Sequence, residues 1–343
     1  MREIDGASGG GQQVRTAVAT SAVTGDAVTV ENVRGGRSDP GLKAQHVAAI
    51  ESVAALSDAT TEDVAIGSSS FSFDPGGLPG GRHEQSIGTA GSVTLVVEAV
   101  LPLVLGLEGP ADLAVTGGTD VPWSPPFDYL RAVTLPVLAG AGLSAEVSLD
   151  RRGFYPSGKG RTRLHLEPSS VSPLRLDRRG DLESIAVHSV ASASLADAAV
   201  ADRQADAVLE GLEGRMTAPI QSAAAYPETT DPGSVVVIVA RFERSIAGFS
   251  ALGERGKPAE AVAGDAVARF ATFRETDAAV DRHLADQVVP FLAFAGGSVR
   301  VPTVTDHVET HLDVLDQFGF DVAIDPHDEG ATIAADPPDQ TTP

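Results

Sequence analysis

The segment Glu3–Thr24, EIDGASGGGQQVRTAVATSAVT, decides how the fold is read. Ile4 stands between polar neighbours as in a short strand, glycines crowd positions 6–11, and Gln12–Thr24 carries Val and Ala at helical spacing. Strand, Gly-rich turn and helix follow in that order. Working outward, Val28–Asn32 alternates as a strand, and Pro40–Ser57 has helical periodicity through Leu42, Val47, Ile50, Val53 and Ala54. Val64–Ile66 and Ser70–Phe73 predict two further short strands. The first unit is therefore βαβαββ.

A second pass repeats that order. A strand near Gln85–Ile87 leads through GTAGS to a helix over Gly91–Leu105, then a strand at Asp112–Thr116. A Pro-rich turn precedes a helix over Pro126–Ala141 and strands at Ser144–Leu149 and Gly160–Glu167. Such self-similarity predicts an internal structural repeat. From Arg179 the texture changes: strand Ile185–Ser194, helix Ala196–Leu212, the dense run VVVIVARF ending Ser234–Phe242, and helix Pro258–Thr272. A third unit then resumes with helix Val280–Ala295, strand Ser298–Pro302, helix Asp306–Phe318 and strand Asp321–Ile324. The predicted class is α/β, of the α+β kind. Three repeats over residues 1–179 and 273–330 form a large domain, residues 180–272 a small inserted α/β domain, and residues 331–343 a flexible tail, with fraying expected from Asp325 onward.

Composition narrows the chemistry. The 343 residues contain no cysteine, which excludes disulfides, thiolate metal sites and cysteine nucleophiles. No stretch approaches the roughly twenty apolar residues of a membrane span, and MREIDGASGGG lacks the apolar core of a signal peptide, so a cytoplasmic protein is expected. The net charge is −22, with 47 Asp and Glu against 25 Lys and Arg, only three of them lysine. The acids are scattered through every segment, as on the surface of a protein from an extreme halophile, where salt screens their repulsion.

Against that background the run Glu31–His46, ENVRGGRSDPGLKAQH, stands out, because Arg34, Arg37, Lys43 and His46 cluster around Gly-Gly and Pro-Gly turns. Turn glycines let backbone N–H groups approach a ligand, and arginines supply forked donors that match phosphate oxygens. Gly9–Gly11 before a helix bearing Arg15, and Gly88–Ser92 before another, are further anion-binding geometries; either alone reads better as a tight turn, but two in equivalent positions of two repeats favour the anion reading. His307 and His311 lie one helical turn apart in TVTDHVETH. They could ligate zinc, but Val308 stands where a metalloprotease motif needs Glu. A neutral imidazole in a phosphate-binding chain is alternatively a nucleophile.

Taken together the motifs resemble the RNA 3′-terminal phosphate cyclases over nearly the whole chain. The matching stretches include GGGQQVRTA (Gly9–Ala17), ENVRGGRSDPGLKAQH, GTAGSVTLVVEAVLP (Gly88–Pro102), GGTDVPWSPPFDYLR (Gly117–Arg131), RRGFYPSGKG (Arg151–Gly160), ALGERGKPAE (Ala251–Glu260) and HLADQVVPF (His283–Phe291). The resemblance implies three βαβαββ units with an insertion, and an ATP-dependent ligase that yields AMP and diphosphate. In such enzymes a histidine takes AMP from ATP and passes it to an RNA 3′-phosphate, after which the vicinal 2′-hydroxyl closes a 2′,3′-cyclic phosphate.

By the same resemblance His307 is the nucleophile. Glu98, His283, Leu284, Ala285, Asp286 and Gln287 match the ATP-binding positions, and Arg15, Arg34, Arg37, Gln45 and His46 line the phosphate and substrate pocket. A divalent cation, Mg or Mn, accompanies the triphosphate. Its ligands are not carried over, because Ser8 replaces an acidic residue of the family pattern and Glu98 replaces a glutamine. Two other readings remain at this stage: a catalytically silent relative acting as a ribosome-assembly scaffold, and an enolpyruvyl transferase with a similarly repeated fold.

Overall fold

The computed structural model describes residues 1–214 and 216–337. The first repeat comprises β1 (Arg2–Asp5), α1 (Gly11–Thr24), β2 (Val28–Glu31), α2 (Ala44–Leu56), β3 (Thr60–Glu62) and β4 (Phe71–Asp74). Its sheet runs β1-β2-β4-β3, with β1 and β2 parallel and the other pairs antiparallel. The second repeat has β5 (Gly81–Ser86), α3 (Val93–Val100) with a 3-10 turn over Leu101–Leu105, and β6 (Ala111–Gly117). It continues through α4 (Phe127–Tyr129), a π-helical turn over Leu130–Thr134, α5 (Leu135–Gly140), β7 (Ala145–Arg151) and β8 (Gly160–Leu166). Its order, β5-β6-β8-β7, has the same sequence of one parallel and two antiparallel pairs.

The third repeat is split. Its first strand, β9 (Leu174–Leu176), precedes an insertion of β10 (Leu182–Ala191), α6 (Val200–Leu212), β11 (Ile220–Ala225), β12 (Ser234–Phe242), β13 (Ile246–Leu252) and α7 (Ala259–Glu275). The repeat resumes with α8 (Arg282–Ala295), β14 (Gly297–Val301), α9 (Asp306–Gln317), β15 (Val322–His327) and β16 (Gly330–Ala335). Its sheet order, β9-β14-β16-β15, reproduces the other two. The structure corrects the expected end of the chain. Asp325–Ala335 does not fray: it completes β15 and forms β16, whose Ile333 is fully buried opposite Val299. The last residues of the expected tail, 338–343, lie outside the described residues. The strand expected at Val64–Ile66 is instead β3, four residues earlier.

The dense run VVVIVARF is explained by burial on both faces of the inserted sheet, which is ordered β11-β10-β12-β13. Side chains alternate along a strand. Val235, Val237 and Val239 enter the core shared by the three repeats, whereas Val236, Ile238 and Ala240 pack under α6 and α7 with Phe270 and Phe273. The insertion is thus seated on the repeats through one face of its sheet. Asp281 reinforces that seat: it accepts from Tyr129 Oη at 2.8 Å and Gly248 N at 2.8 Å, and it caps α8 through His283 N and Leu284 N. One buried carboxylate therefore joins the second repeat, the insertion and α8, and orients the cleft-facing side of that helix. Among the described residues no helix is long and apolar enough to cross a membrane.

Candidate active site

The N-terminal ends of α1, α2, α8 and α9 converge on a cavity of about 1450 Å³, closed on its far side by the insertion. The first element is the glycine loop. Gly10 caps α1 without any side-chain hydrogen bond, so the helix N-terminus presents free N–H groups. Gly11 is required by close approach, because a Cβ there would collide with the His46 ring; one at Gly10 would make only ordinary contact with Arg37 Nη2, 3.4 Å away. His46 is buried, and its Nδ1 accepts from the Lys43 backbone N–H at 3.1 Å, which leaves the proton on Nε2, facing this loop. Desolvation, reinforced by Arg15, Arg34 and Lys43, drives its pKa down to about 3, so the ring is a fixed neutral donor.

The arginines divide their work. Arg34, at a positive φ of 55°, donates from Nη1 to the backbone oxygens of Asp39 (2.8 Å) and Gly41 (3.0 Å), so it ties its own loop. Lys43 pairs with Asp39 at 2.6 Å. Arg37 is exposed at the mouth beside Gly10, and Arg15 lies deeper, on α1, where desolvation lowers its pKa although Glu98 opposes the shift. Gln45 lines the cavity and accepts from Ser92 N at 3.2 Å, joining the starts of α2 and α3.

Helical geometry sorts the HLADQ stretch. His283, Asp286, Gln287 and Pro290, spaced three and four apart on α8, face the cavity. Leu284 and Ala285, by contrast, are fully buried in the common core, so their side chains cannot reach a ligand in the cleft and the expected role is corrected for these two. His283 meets the Tyr129 ring edge-on, with centroids 6.4 Å apart. Gln287 donates to Glu98 Oε1 at 2.9 Å and accepts from Thr134 Oγ1 at 2.5 Å. Desolvation raises Glu98 to about 7, with Arg15 partly offsetting and Asp286 adding to the rise. Asp286 is likewise raised by desolvation to about 7, although its bond from Thr305 Oγ1 (2.5 Å) favours the charged form.

Thr305 in turn caps α9 by accepting from Val308 N at 3.1 Å, which sets His307 in the first turn of that helix at the cavity edge. Gln12, a residue the sequence reading did not single out, holds His307 at both ends of its carboxamide. Its Nε2 donates to the His307 carbonyl at 3.3 Å, so its Oε1 must be the end that meets His307 Nδ1. An amide oxygen can only accept, hence Nδ1 carries the proton and Nε2 keeps a free lone pair. Desolvation, followed by the charges of Arg15 and Arg37, lowers the pKa of His307 and keeps the ring neutral. His311, the other member of the pair, is buried; Thr16 Oγ1 meets its Nδ1 at 2.8 Å, and desolvation lowers its pKa to about 3. The two imidazoles are therefore engaged separately, by Gln12 and Thr16.

Fold and cleft together define an α+β protein of three equivalent units, with an uncapped helix N-terminus beside a neutral, oriented histidine. The sequence profile of the family described as RNA 3′-terminal phosphate cyclase matches residues 7–324. The chain is 45% identical over 344 residues to the RNA 3′-terminal phosphate cyclase of Halobacterium salinarum, covering 97% of this chain and 99% of that protein. It is 40% identical over 318 residues to the protein of the same name from Pyrococcus furiosus, with 92% of each covered. The chain belongs to the RNA 3′-terminal phosphate cyclase family. A solved enolpyruvyl transferase, NikO from Streptomyces tendae, aligns at 13% identity with a TM-score of only 0.26, covering 98% of this chain and 65% of that one.

Proposed function

We propose that this chain converts an RNA 3′-terminal phosphate to a 2′,3′-cyclic phosphodiester at the expense of ATP, through AMP carried on His307. The observation that carries this reading is the pair of hydrogen bonds between Gln12 and His307, which leaves a neutral ring with its Nε2 lone pair available. Nε2 attacks the α-phosphorus of ATP; a P–N bond forms and the bond to diphosphate breaks. As positive charge grows on the ring, Gln12 Oε1 accepts a stronger bond from Nδ1–H.

An oxygen of the RNA 3′-phosphate then attacks the same phosphorus, the P–N bond breaks, and His307 is regenerated. The RNA phosphate now carries AMP as a leaving group. The 2′-hydroxyl oxygen attacks it, AMP departs, and the hydroxyl proton passes to solvent. Arg37, Arg15 and the free N–H groups of α1 supply positive potential where phosphate charge accumulates. Glu98, Asp286 and Gln287 line the part of the cavity assigned to the nucleotide.

Among the described residues no cluster of three or more His, Asp or Glu would hold a metal ion alone. If Mg or Mn accompanies the triphosphate, Asp286 and Glu98, which line the cavity, would be the carboxylates to hold it. Such an ion would neutralise phosphate charge.

A ribosome-assembly scaffold would have no use for an oriented neutral imidazole, which favours the enzyme reading. The test is incubation of the chain with ATP and an RNA ending in a 3′-phosphate. Conversion of that end to a phosphatase-resistant cyclic phosphate, dependent on ATP, is expected; an end that stays phosphatase-sensitive would refute the reading.

A further inference from the structure

The chain has one tryptophan, and it is not in the core. Trp123 lies between Pro122 and Pro125 in the loop from β6 to α4, 98% exposed and at a φ of +63°. A bulky side chain seldom adopts positive φ, and a tryptophan in water forfeits a large apolar area. Both costs persist only where the surrounding structure imposes them.

The loop is rigid at its base. Buried Arg152 bridges its two ends, donating to both Asp120 oxygens at 2.9 Å and to Asp128 at 2.7 Å, and Phe127 N donates to Thr119 O at 3.0 Å. Its middle is pinned to α3 by Thr94 Oγ1, which donates to Pro125 O at 2.8 Å.

Trp123 lines the same cavity as His307, and a second exposed ring stands there with it. Tyr155, 67% exposed, is carried on the turn between β7 and β8. That turn is fixed to the insertion by Ser157 N, which donates to Asp231 at 3.0 Å. From the insertion itself, the loop between β13 and α7 brings Arg255 and Lys257 to the cavity, Lys257 being paired with Asp265. Two exposed aromatic rings and an arginine lining one cavity, in a protein of net charge −22, match the requirements of a single strand of nucleic acid. Bases stack on rings, whatever their identity, while cations meet the phosphates.

We propose that Trp123 is a stacking platform for a base of the single-stranded RNA leading to the 3′ end, with Arg255 contacting its backbone. This rests on the RNA-end reading above. The platform selects an unpaired 3′ end, because a base within a duplex has no free face to offer.

The test uses the full chain and a short single-stranded RNA with a 3′-phosphate. Because Trp123 is the sole tryptophan, fluorescence excited beyond the tyrosine absorption band reports this position alone. Saturable quenching by the RNA is expected, with weaker binding of the same sequence in a duplex. By anisotropy of a labelled RNA, Trp123→Ala should weaken binding at least about tenfold while Trp123→Phe retains most of it. Labelling of either variant by α-phosphate-labelled ATP should match the parent, since AMP transfer to the protein precedes RNA.

RNA bound without any fluorescence change, undiminished affinity in Trp123→Ala, or no RNA binding at all would overturn the proposal. Equal quenching by ATP alone would overturn it too, assigning the ring to adenine. Quenching by RNA in a chain that ATP never labels would keep the platform and sink the cyclase mechanism instead.

Discussion

The carboxamide of Gln12 binds His307 twice, its Nε2 to the backbone oxygen and its Oε1 to the ring Nδ1. Two residues separated by 295 positions are thereby locked in one relative orientation, and the histidine in one tautomer. If that lock serves AMP transfer, Gln12→Ala should slow labelling of the protein by ATP at least about tenfold, or about 1.4 kcal/mol. Gln12→Glu still accepts from Nδ1–H, but its charge favours the imidazolium, so the acid limb of the pH–rate profile should move to higher pH. A Gln12→Glu profile that superimposes on the parent would remove Gln12 from the mechanism.

Arg34 and Arg37, three positions apart in the sequence motif, should behave differently. Arg37 stands free at the mouth near Gly10, whereas Arg34 ties the backbone at Asp39 and Gly41. Lysine lacks the fork, so both Arg→Lys changes should reduce cyclisation at least about tenfold. Only Arg34→Lys should also lower the melting temperature. Equal melting of the two variants would contradict the division of roles.

Glu98 makes a signed prediction about pH. Its pKa is raised in the fold to about 7 from an ordinary 4.5, so the folded state binds more protons between those values. Its contribution to stability is full below about 4.5 and is lost as pH rises through about 7. Asp286 acts in the same direction, whereas His46 and His311, both lowered to about 3, make stability rise between about 3 and 6.5. The parent curve mixes these opposing trends, and a difference isolates one of them. Glu98→Gln should melt like the parent near pH 4.5 and above it at pH 8. A difference that is constant with pH would show that Glu98 is not held in this state.

The helices were readable from their periodicity, and the repeat from the recurrence of element order. Strands with weak local signal were not. Leu174–Leu176 sits among Ser, Pro and Arg, and GATIAA (Gly330–Ala335) lies in an Asp- and Pro-rich end; both exist because β14 offers them hydrogen bonds on either edge. No local pattern shows a partner supplied from so far along the chain. The site divides similarly. Charge clustering exposed the arginine loop, but Gln12 is significant only through a residue 295 positions away. Leu284 and Ala285 were carried along with a contiguous motif, although α8 can turn only alternate pairs of its residues to the cleft.

The surface charge predicts a salt requirement. With 47 acids against 25 Lys and Arg, repulsion is felt across about 10 Å at 0.1 M salt and only about 3 Å at 1 M. Melting temperature and activity should therefore rise together from 0.1 M toward molar KCl. Flat or falling melting over that range would refute a halophilic adaptation.

His307 as the AMP carrier is tested most directly by labelling with α-phosphate-labelled ATP, followed by a chase with RNA bearing a 3′-phosphate. The parent should form an acid-labile labelled band that the RNA discharges. His307→Ala, altered at an exposed position, should fold normally and take no label. His311→Ala should still be labelled but melt lower, because that ring fills a buried site against Thr16. A labelled His307→Ala chain, or loss of label from both variants with unchanged melting, would contradict the account.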